Sequence, residues 1–287
     1  MSSFVDRPRE LGPGARIGDV WAIDHALGRG GMGTVFACHN KDAPAIRAAI
    51  KVLDGFAEFH PIARKRFLRE AEILYGLDHP NLVRVANIVL DQRPPYIEME
   101  LVEGVPLTRL LASGPLALDT ALGHARQIAD ALAYLHRRKV FHRDVKPENL
   151  IVQPDGTVKL VDFGLAKKAG LDITVQGTSA FGTVEYCPPE WMDAEALEPA
   201  AWDCYALGVV LHEMLTGQMA FRTPEGLSQA DEVLWILARK HDLEDGLDPG
   251  PAFPDAVRAL VGDLTALDRE RRPCPGQEVV RRLRSLP

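Results

Sequence analysis

Glycine occupies four of the six positions in Gly28-Arg29-Gly30-Gly31-Met32-Gly33, in the pattern G-x-G-x-x-G. With no Cβ, such residues let successive backbone N–H groups approach a chain of phosphates unobstructed. In a dinucleotide-binding fold these glycines open a helix, but here Thr34-Val35-Phe36-Ala37 comes next and reads as a strand. The arrangement is therefore strand, glycine loop, strand. No G-x-x-x-x-G-K-[ST] run occurs, which excludes a Walker-type loop. Ala49-Ile50-Lys51 closes the next apolar strand, where a lysine could aim its ammonium at phosphates under the loop. Taken singly, Lys51 reads more simply as an edge-strand lysine. Glu70, in Arg69-Glu70-Ala71 on the helix expected next, supplies an acidic partner able to hold it.

A second group of polar residues is Phe141-His142-Arg143-Asp144-Val145-Lys146-Pro147-Glu148-Asn149, followed by Asp162-Phe163-Gly164. With glycine loop, strand lysine, helix glutamate and these two segments in order, the chain resembles the eukaryotic-like protein kinases over roughly Ile17 to Leu283. The resemblance implies an ATP site. Lys51 would grip the α- and β-phosphates with Glu70 as its partner, below Gly28, Gly30, Gly31 and Gly33. Asp144 would accept or orient the proton of the attacking hydroxyl, and Lys146 would neutralise charge on the transferring phosphate. Asn149 and Asp162 would be the oxygen ligands of Mg²⁺, with Mn²⁺ as a substitute. Leu27, Val35, Ala49 and Ile151 would contact adenine, Met99 would lie behind it, and the backbone of Glu100 and Val102 would hydrogen-bond the base. Leu74, Val85, His142 and Phe163 look like a stacked apolar column, which makes His142 architectural rather than a base.

Lys146 after the catalytic aspartate, together with Gly182-Thr183-Val184-Glu185-Tyr186-Cys187-Pro188-Pro189-Glu190, resembles the Ser/Thr branch of that family. The implied substrates are protein serine and threonine hydroxyls, with Thr183 bridging Asp144 and Lys146 as part of the catalytic set. Arg143 could pair with a phosphate installed on the activation segment, whose available hydroxyls are Thr174, Thr178 and Ser179. Glu190 and Arg272 are expected as a buried ion pair, and Asp203 as an anchor for the catalytic loop. Cys187, and Trp202 before Asp203, depart from the commoner residues of the family. Gly28 to Gly33, His79-Pro80-Asn81 and Glu103-Gly104 are most like bacterial receptor-type kinases, so the chain is expected to be either a soluble kinase or a catalytic domain from something longer. A pseudokinase that binds nucleotide or a partner without transfer is the alternative, and intact Lys51, Glu70, Asp144, Asn149 and Asp162 weigh against it.

These residues need a scaffold of strands first and helices later. Trp21 to Leu27, Thr34 to Cys38 and Ala48 to Leu53 read as strands, Ile62 to Leu77 as a helix, and Leu82 to Leu90 and Tyr96 to Val102 as further strands around a turn. Helical spacing dominates afterwards, over Leu107 to Ala112, Leu118 to Arg138, Ala201 to Thr216, Ala230 to Lys240, Asp255 to Ala266 and Gly276 to Leu286. A hairpin around Asp155-Gly156 spans Leu150 to Val161. This segregation predicts an α+β protein of bilobal kinase type, with an antiparallel-sheet N-lobe over about 17–103 carrying one main helix. A helical C-lobe over about 104–287 comes after it, with an ATP cleft between the lobes and a flexible N-terminal extension over 1–16.

Bulk composition agrees. With 287 residues and 46% apolar content the chain can bury a core, and a net charge of −7 argues against a nucleic-acid partner. Four cysteines without a CxxC pair point to a reduced, cytoplasmic setting rather than a disulfide or zinc scaffold. No run approaches the ~20 apolar residues of a membrane span, and Met1 to Arg16 lacks the apolar stretch of a signal peptide. A transient homodimer is an expected partner state for autophosphorylation.

Overall fold

The computed structural model describes residues 11–30, 33–53, 72–162, 184–193, 198–274 and 276–286. They fall into two compact units, one containing the described residues up to Asp78 with Val83–Val102, the other His79–Leu82 with Glu103 onward.

The first unit is a six-stranded antiparallel sheet of β1 (Arg16–Ile17), β2 (Trp21–Gly30), β3 (Gly33–Asn40), β4 (Arg47–Leu53), β5 (Val85–Val89) and β6 (Tyr96–Met99), in the order β1-β2-β3-β4-β6-β5. From Ala48 to Leu53 every residue of β4 is buried, as its continuous apolar run requires of a central strand covered on both faces. Ala48, Ile50 and Val52 join Ile23, Phe36, Cys38 and Tyr96 in one core cluster. Ala49 and Lys51 alternate onto the opposite face.

The strand expected over 82–90 is shorter, Val85–Val89. Leu82 bridges Leu160 instead, and Asn81 sends its Nδ2 to the Val158 carbonyl (2.9 Å) and the Gln127 Oε1 (2.8 Å), so this corner belongs to the second unit. The strand expected to reach Val102 stops at Met99. Of the helix expected over 62–77, residues 72–75 are helical and those before 72 lie outside the described residues.

The second unit begins with β7 (Val105–Pro106), α1 (Leu107–Leu111) and α2 (Leu118–Arg137). After the loop 138–146 come β8 (Leu150–Val152) and β9 (Val158–Leu160), which form a small sheet with β7. Gly156, at φ 83°, makes the tight turn between them. Next come α3 (Pro199–Thr216), α4 (Gln229–His241), α5 (Asp255–Thr265) and α6 (Gly276–Arg284), within two residues of the expected bounds. Proline opens α3, where a missing N–H costs nothing, and Gly217 closes it in the left-handed conformation. The helix is apolar around most of its circumference and is accordingly the buried centre of the unit. At its crossing with α5 a Cβ on Gly208 would meet the Leu264 Cβ at 2.6 Å, so only glycine allows that approach.

Candidate active site

In the first unit, strand register gathers several of the expected nucleotide residues. Val35 pairs with Lys51, which pairs with Ile97, and Ala37 pairs with Ala49, which pairs with Met99. Val35, Ala49, Lys51 and Met99 therefore share the face turned away from the core cluster. Lys51 is 6% exposed on this face. Its expected partner Glu70 lies outside the described residues, as does Gly31.

Gly28 stands opposite Val35, and Gly30 opposite Gly33 at the hairpin tip. The Ala26–Phe36 and Gly28–Val35 pairs leave Leu27 as the extra residue of a bulge, 49% exposed. Two of these glycines differ in what they serve. A Cβ on Gly33 would run into the Val52 carbonyl, so strand packing demands it. Among the described residues nothing lies within 4 Å of a Cβ on Gly28, so their packing makes no such demand there. Farther along, the Glu100 N–H donates to the Arg84 carbonyl (2.9 Å), and the Glu100 Oε1 accepts from the Arg84 N–H (2.9 Å). The Glu100 N–H is thus engaged within this unit. Val102 is half-buried at the end of this unit.

In the second unit, the loop before β8 brings Asp144, Lys146 and Asn149 together. Lys146 Nζ lies 3.0 Å from Asp144 Oδ1, and Asn149 Nδ2 donates to both the Asp144 Oδ2 (2.8 Å) and its backbone carbonyl (2.8 Å). Burial pushes the Asp144 carboxyl above its ordinary range, and Lys146 and Asn149 oppose that rise. The Val161 N–H donates to the Asn149 carbonyl (2.8 Å), which fastens the residue before Asp162 to the same loop. Asp162 is exposed, in the left-handed conformation at φ 57°. The imidazole of His142, fully buried, lies in the fields of both Asp144 and Asp162, and burial pushes its pKa down, so it is neutral. Ile151 on β8 pairs with Pro106 and Lys159 and is half-buried.

The donor set suits a hard cation. With its Nδ2 donating to Asp144, Asn149 presents an oxygen, Oδ1, and Asp162 carries a carboxylate, both of the hard-oxygen type. No group of three or more acidic, histidine or cysteine side chains that could hold a metal occurs among the described residues. Two protein ligands with the remainder from phosphates and water is how Mg²⁺ is usually bound.

Asp203, at the start of α3, organises the loop from below. Its Oδ1 accepts the Arg143 N–H (2.7 Å), and its Oδ2 accepts the His142 N–H (3.0 Å) and His136 Nε2–H (2.9 Å). The Gly276 N–H donates to His136 Nδ1 (3.2 Å), which fixes the tautomer. Burial alone would raise the Asp203 carboxyl, but these donors hold it below the usual carboxylate range. They also hold Arg143 at φ 59°, a conformation non-glycine residues rarely adopt. Its guanidinium is carried inward, and Nε has no hydrogen-bond partner among the described residues.

The segment after Thr183 forms two short 3-10 turns, Val184–Tyr186 and Pro189–Met192. Tyr186 donates its hydroxyl to Glu213 Oε2 (2.8 Å) on α3. Glu190 meets Arg272 through two parallel bonds, 2.5 and 3.0 Å, and the arginine side chain is fully buried. Burial pushes the Glu213 carboxyl up to about 7. A carboxyl with a raised folded pKa adds stability that is complete below its unfolded value and is lost as pH rises through the folded one. Relative to Glu213→Gln, the unaltered chain is therefore expected to gain stability as pH falls from about 7 to about 4.3, read as the shift of urea midpoints with pH.

Residues 21–282 match the family described as protein kinase domain. The chain belongs to that family. The match spans both units and contains every catalytic and nucleotide residue expected above. Among curated proteins, this kinase domain is 33% identical over 91% of its length to a Lactococcus lactis protein named "Probable serine/threonine-protein kinase PknB". It is 33% identical over 89% to serine/threonine-protein kinase PrkC of Bacillus subtilis, and 36% identical over 94% to serine/threonine-protein kinase PkaB of Streptomyces coelicolor. The chain spans 41%, 38% and 64% of those three proteins. No helix among the described residues is long and apolar enough to cross a membrane.

Thr183, Thr174, Thr178, Ser179 and Phe163 lie outside the described residues. Leu74 and Val85 are buried in the first unit. Three positions carry no signal in the sequence: His136, Glu213 and Lys240. His136 lies in the last turn of an amphipathic helix, where nothing local marks it as the partner of a residue 67 positions away.

Proposed function

We propose that this kinase domain transfers the γ-phosphoryl group of ATP to serine and threonine hydroxyls of proteins. The observation that carries the reading is the Asp144–Lys146–Asn149 cluster, whose carboxylate is half-buried, restrained at both oxygens and raised in pKa. A base of that kind is poised to take a hydroxyl proton as the oxygen attacks phosphorus. Phosphoryl transfer otherwise depends on placement and on neutralising charge. Lys146 supplies one positive group at the transferring phosphate, and Lys51 another at the α- and β-phosphates. Asn149 Oδ1 and Asp162 would hold Mg²⁺, which when bound offsets negative charge on the phosphates. That no described residue comes within 4 Å of a Cβ on Gly28 supports a phosphate chain under the glycine loop. Leu27, Val35, Ala49 and Ile151 line the adenine in this reading, with Met99 behind it and the backbone of Glu100 and Val102 at its edge.

Serine and threonine as acceptors are argued from Lys146 and from the segment through Thr183, and the names of the relatives point the same way. Arg143 supports regulation by phosphate. A buried guanidinium whose Nε has no hydrogen-bond partner among the described residues favours an arriving anion, and a phosphate on Thr174, Thr178 or Ser179 is the anion we assign to it. One copy would modify another in a transient pair, so the labelling rate rises more steeply than the concentration of the chain. A cytoplasmic setting accords with four free cysteines.

The test is incubation with labelled ATP and Mg²⁺, with and without a basic protein as acceptor, then mapping of the label. Label on acceptor serine or threonine, and on one or more of Thr174, Thr178 and Ser179, is the expected result. Measurable ATP binding with no transfer to either would refute the reading. Replacing all three hydroxyl residues by alanine is expected to lower transfer to the acceptor by ~10-fold or more, because Arg143 then lacks its anion.

A further inference from the structure

Lys240, near the end of α4, is 2% exposed and belongs to none of the machinery above. Its ammonium donates to the carbonyl oxygens of Val184 (2.7 Å), Glu185 (2.9 Å) and Cys187. An ammonium has three N–H donors, and these carbonyls use all of them. The rings of Phe221 and Tyr205 stand 4.7 and 5.2 Å from Nζ and enclose it. Burying a lysine opposes its charge, and burial pushes this one down to about 7. An apolar side chain of similar length would fill the space without that cost. What a methionine could not do is hold three carbonyls of one short turn convergent on a point.

The turn so held sits beside the catalytic loop. Cys187 lies in the fields of Asp144 and Lys146, and Tyr186 in that of Glu148. We propose that Lys240 is a positioning residue for the protein substrate: it keeps the Val184–Cys187 backbone in the shape against which the polypeptide bearing the acceptor hydroxyl docks. This rests on the kinase reading above. Because the contact is to backbone, any residue types at 184–187 would be held alike, and the effect falls on substrate docking rather than on ATP.

The experiment uses the full chain, labelled ATP with Mg²⁺ and a basic serine-containing peptide. Lys240→Met is expected to raise the peptide KM ~10-fold or more, while the ATP KM and the slow ATP hydrolysis without peptide stay within about twofold. Lys240→Arg, which keeps a cation and donors, is expected to recover part of the loss. An unchanged peptide KM in Lys240→Met overturns the proposal, and so does a parallel fall in ATP hydrolysis. A wild-type chain that labels no peptide overturns the kinase reading instead.

Should Lys240→Met fail to fold, the unaltered chain decides. Loss of one proton leaves two N–H groups for three carbonyls, so the peptide KM is expected to rise ~3-fold or more between about pH 6.5 and about pH 8.5, with ATP hydrolysis not changing in parallel. The charged and titratable groups facing Lys240 are Cys187, Glu185, Glu190 and Arg272, with Tyr205 beside it. Glu213 ionises in the same range on the same segment through Tyr186, so the profile is repeated in Glu213→Gln. A rise that persists there supports Lys240; a flat profile in either protein overturns it.

Discussion

Asp144→Asn is expected to lower kcat by ~10³-fold or more while leaving the unfolding temperature unchanged or slightly raised. The size reflects the lost chemistry. The amide keeps the shape of the side chain but cannot take a proton at neutral pH, and its NH₂ group confronts either Lys146 or Asn149, each of which now donates to a carboxylate oxygen. The stability sign comes from the pKa. Burial raises the Asp144 carboxyl above its ordinary range, so the folded chain disfavours its charge at neutral pH, and a neutral replacement removes that penalty. ATP affinity is expected to change by less than about threefold, since Lys51 and Asp162 are untouched. Steady-state labelling, nucleotide titration and calorimetry on one preparation check the three parts. Retention of a tenth of wild-type kcat would remove Asp144 from its role. A large fall in melting temperature would mean the residue holds the loop together instead.

Arg272→Ala is expected to cost ~3–5 kcal/mol of stability, with loss of activity as a consequence. Besides its paired bonds to Glu190, the guanidinium donates to the carbonyls of Ala266 (2.9 Å) and Leu267 (3.1 Å). All four bonds lie in a region where the arginine side chain has no exposure. Truncation takes the guanidinium from the Glu190 carboxylate, only 15% exposed, and from two carbonyls together, and a largely buried charge without its counterion is the expensive case. Set against the ~5–15 kcal/mol typical of a whole domain, that is a large fraction. Arg272→Lys is expected to recover little, because one point charge cannot serve a carboxylate in parallel and two carbonyls at once. Urea midpoints measure both. A cost of ~1 kcal/mol or less in Arg272→Ala would show the pair to be incidental.

Both residues stand out in the sequence itself, and for Asp144 the reason is that short-range order is enough. Asp144, Lys146 and Asn149 sit within six positions, so one loop conformation is enough to bring them together. The glycine loop is legible as strand–turn–strand because Thr34 to Ala37 has strand character, and the pairing of β2 with β3 agrees. Period and breakers likewise locate the helices of the second unit to within two residues, since each carries an amphipathic or wholly apolar pattern with its own stop signals. Where expectation and structure part, a long-range contact is responsible. Leu82 has the composition of a strand residue, but its backbone is claimed by Leu160, and the strand starts at Val85 instead.

What neighbours in the chain carry is thus readable from the residues: the kinase family, the α+β arrangement, the Asp144–Asn149 cluster and the strand–glycine–strand hairpin. Tertiary structure alone decides the contacts made across many residues of chain. Asp203 gathers donors from positions 60 to 67 residues away, and the tautomer of His136 depends on a backbone N–H 140 residues beyond it. Lys240 in sequence is one more basic residue in the last turn of a helix, which ordinarily means an exposed side chain. Only packing against Phe221 and Tyr205 turns it inward, where an ammonium must find three acceptors or lose its proton, and the acceptors it finds are the carbonyls of the turn just after Thr183.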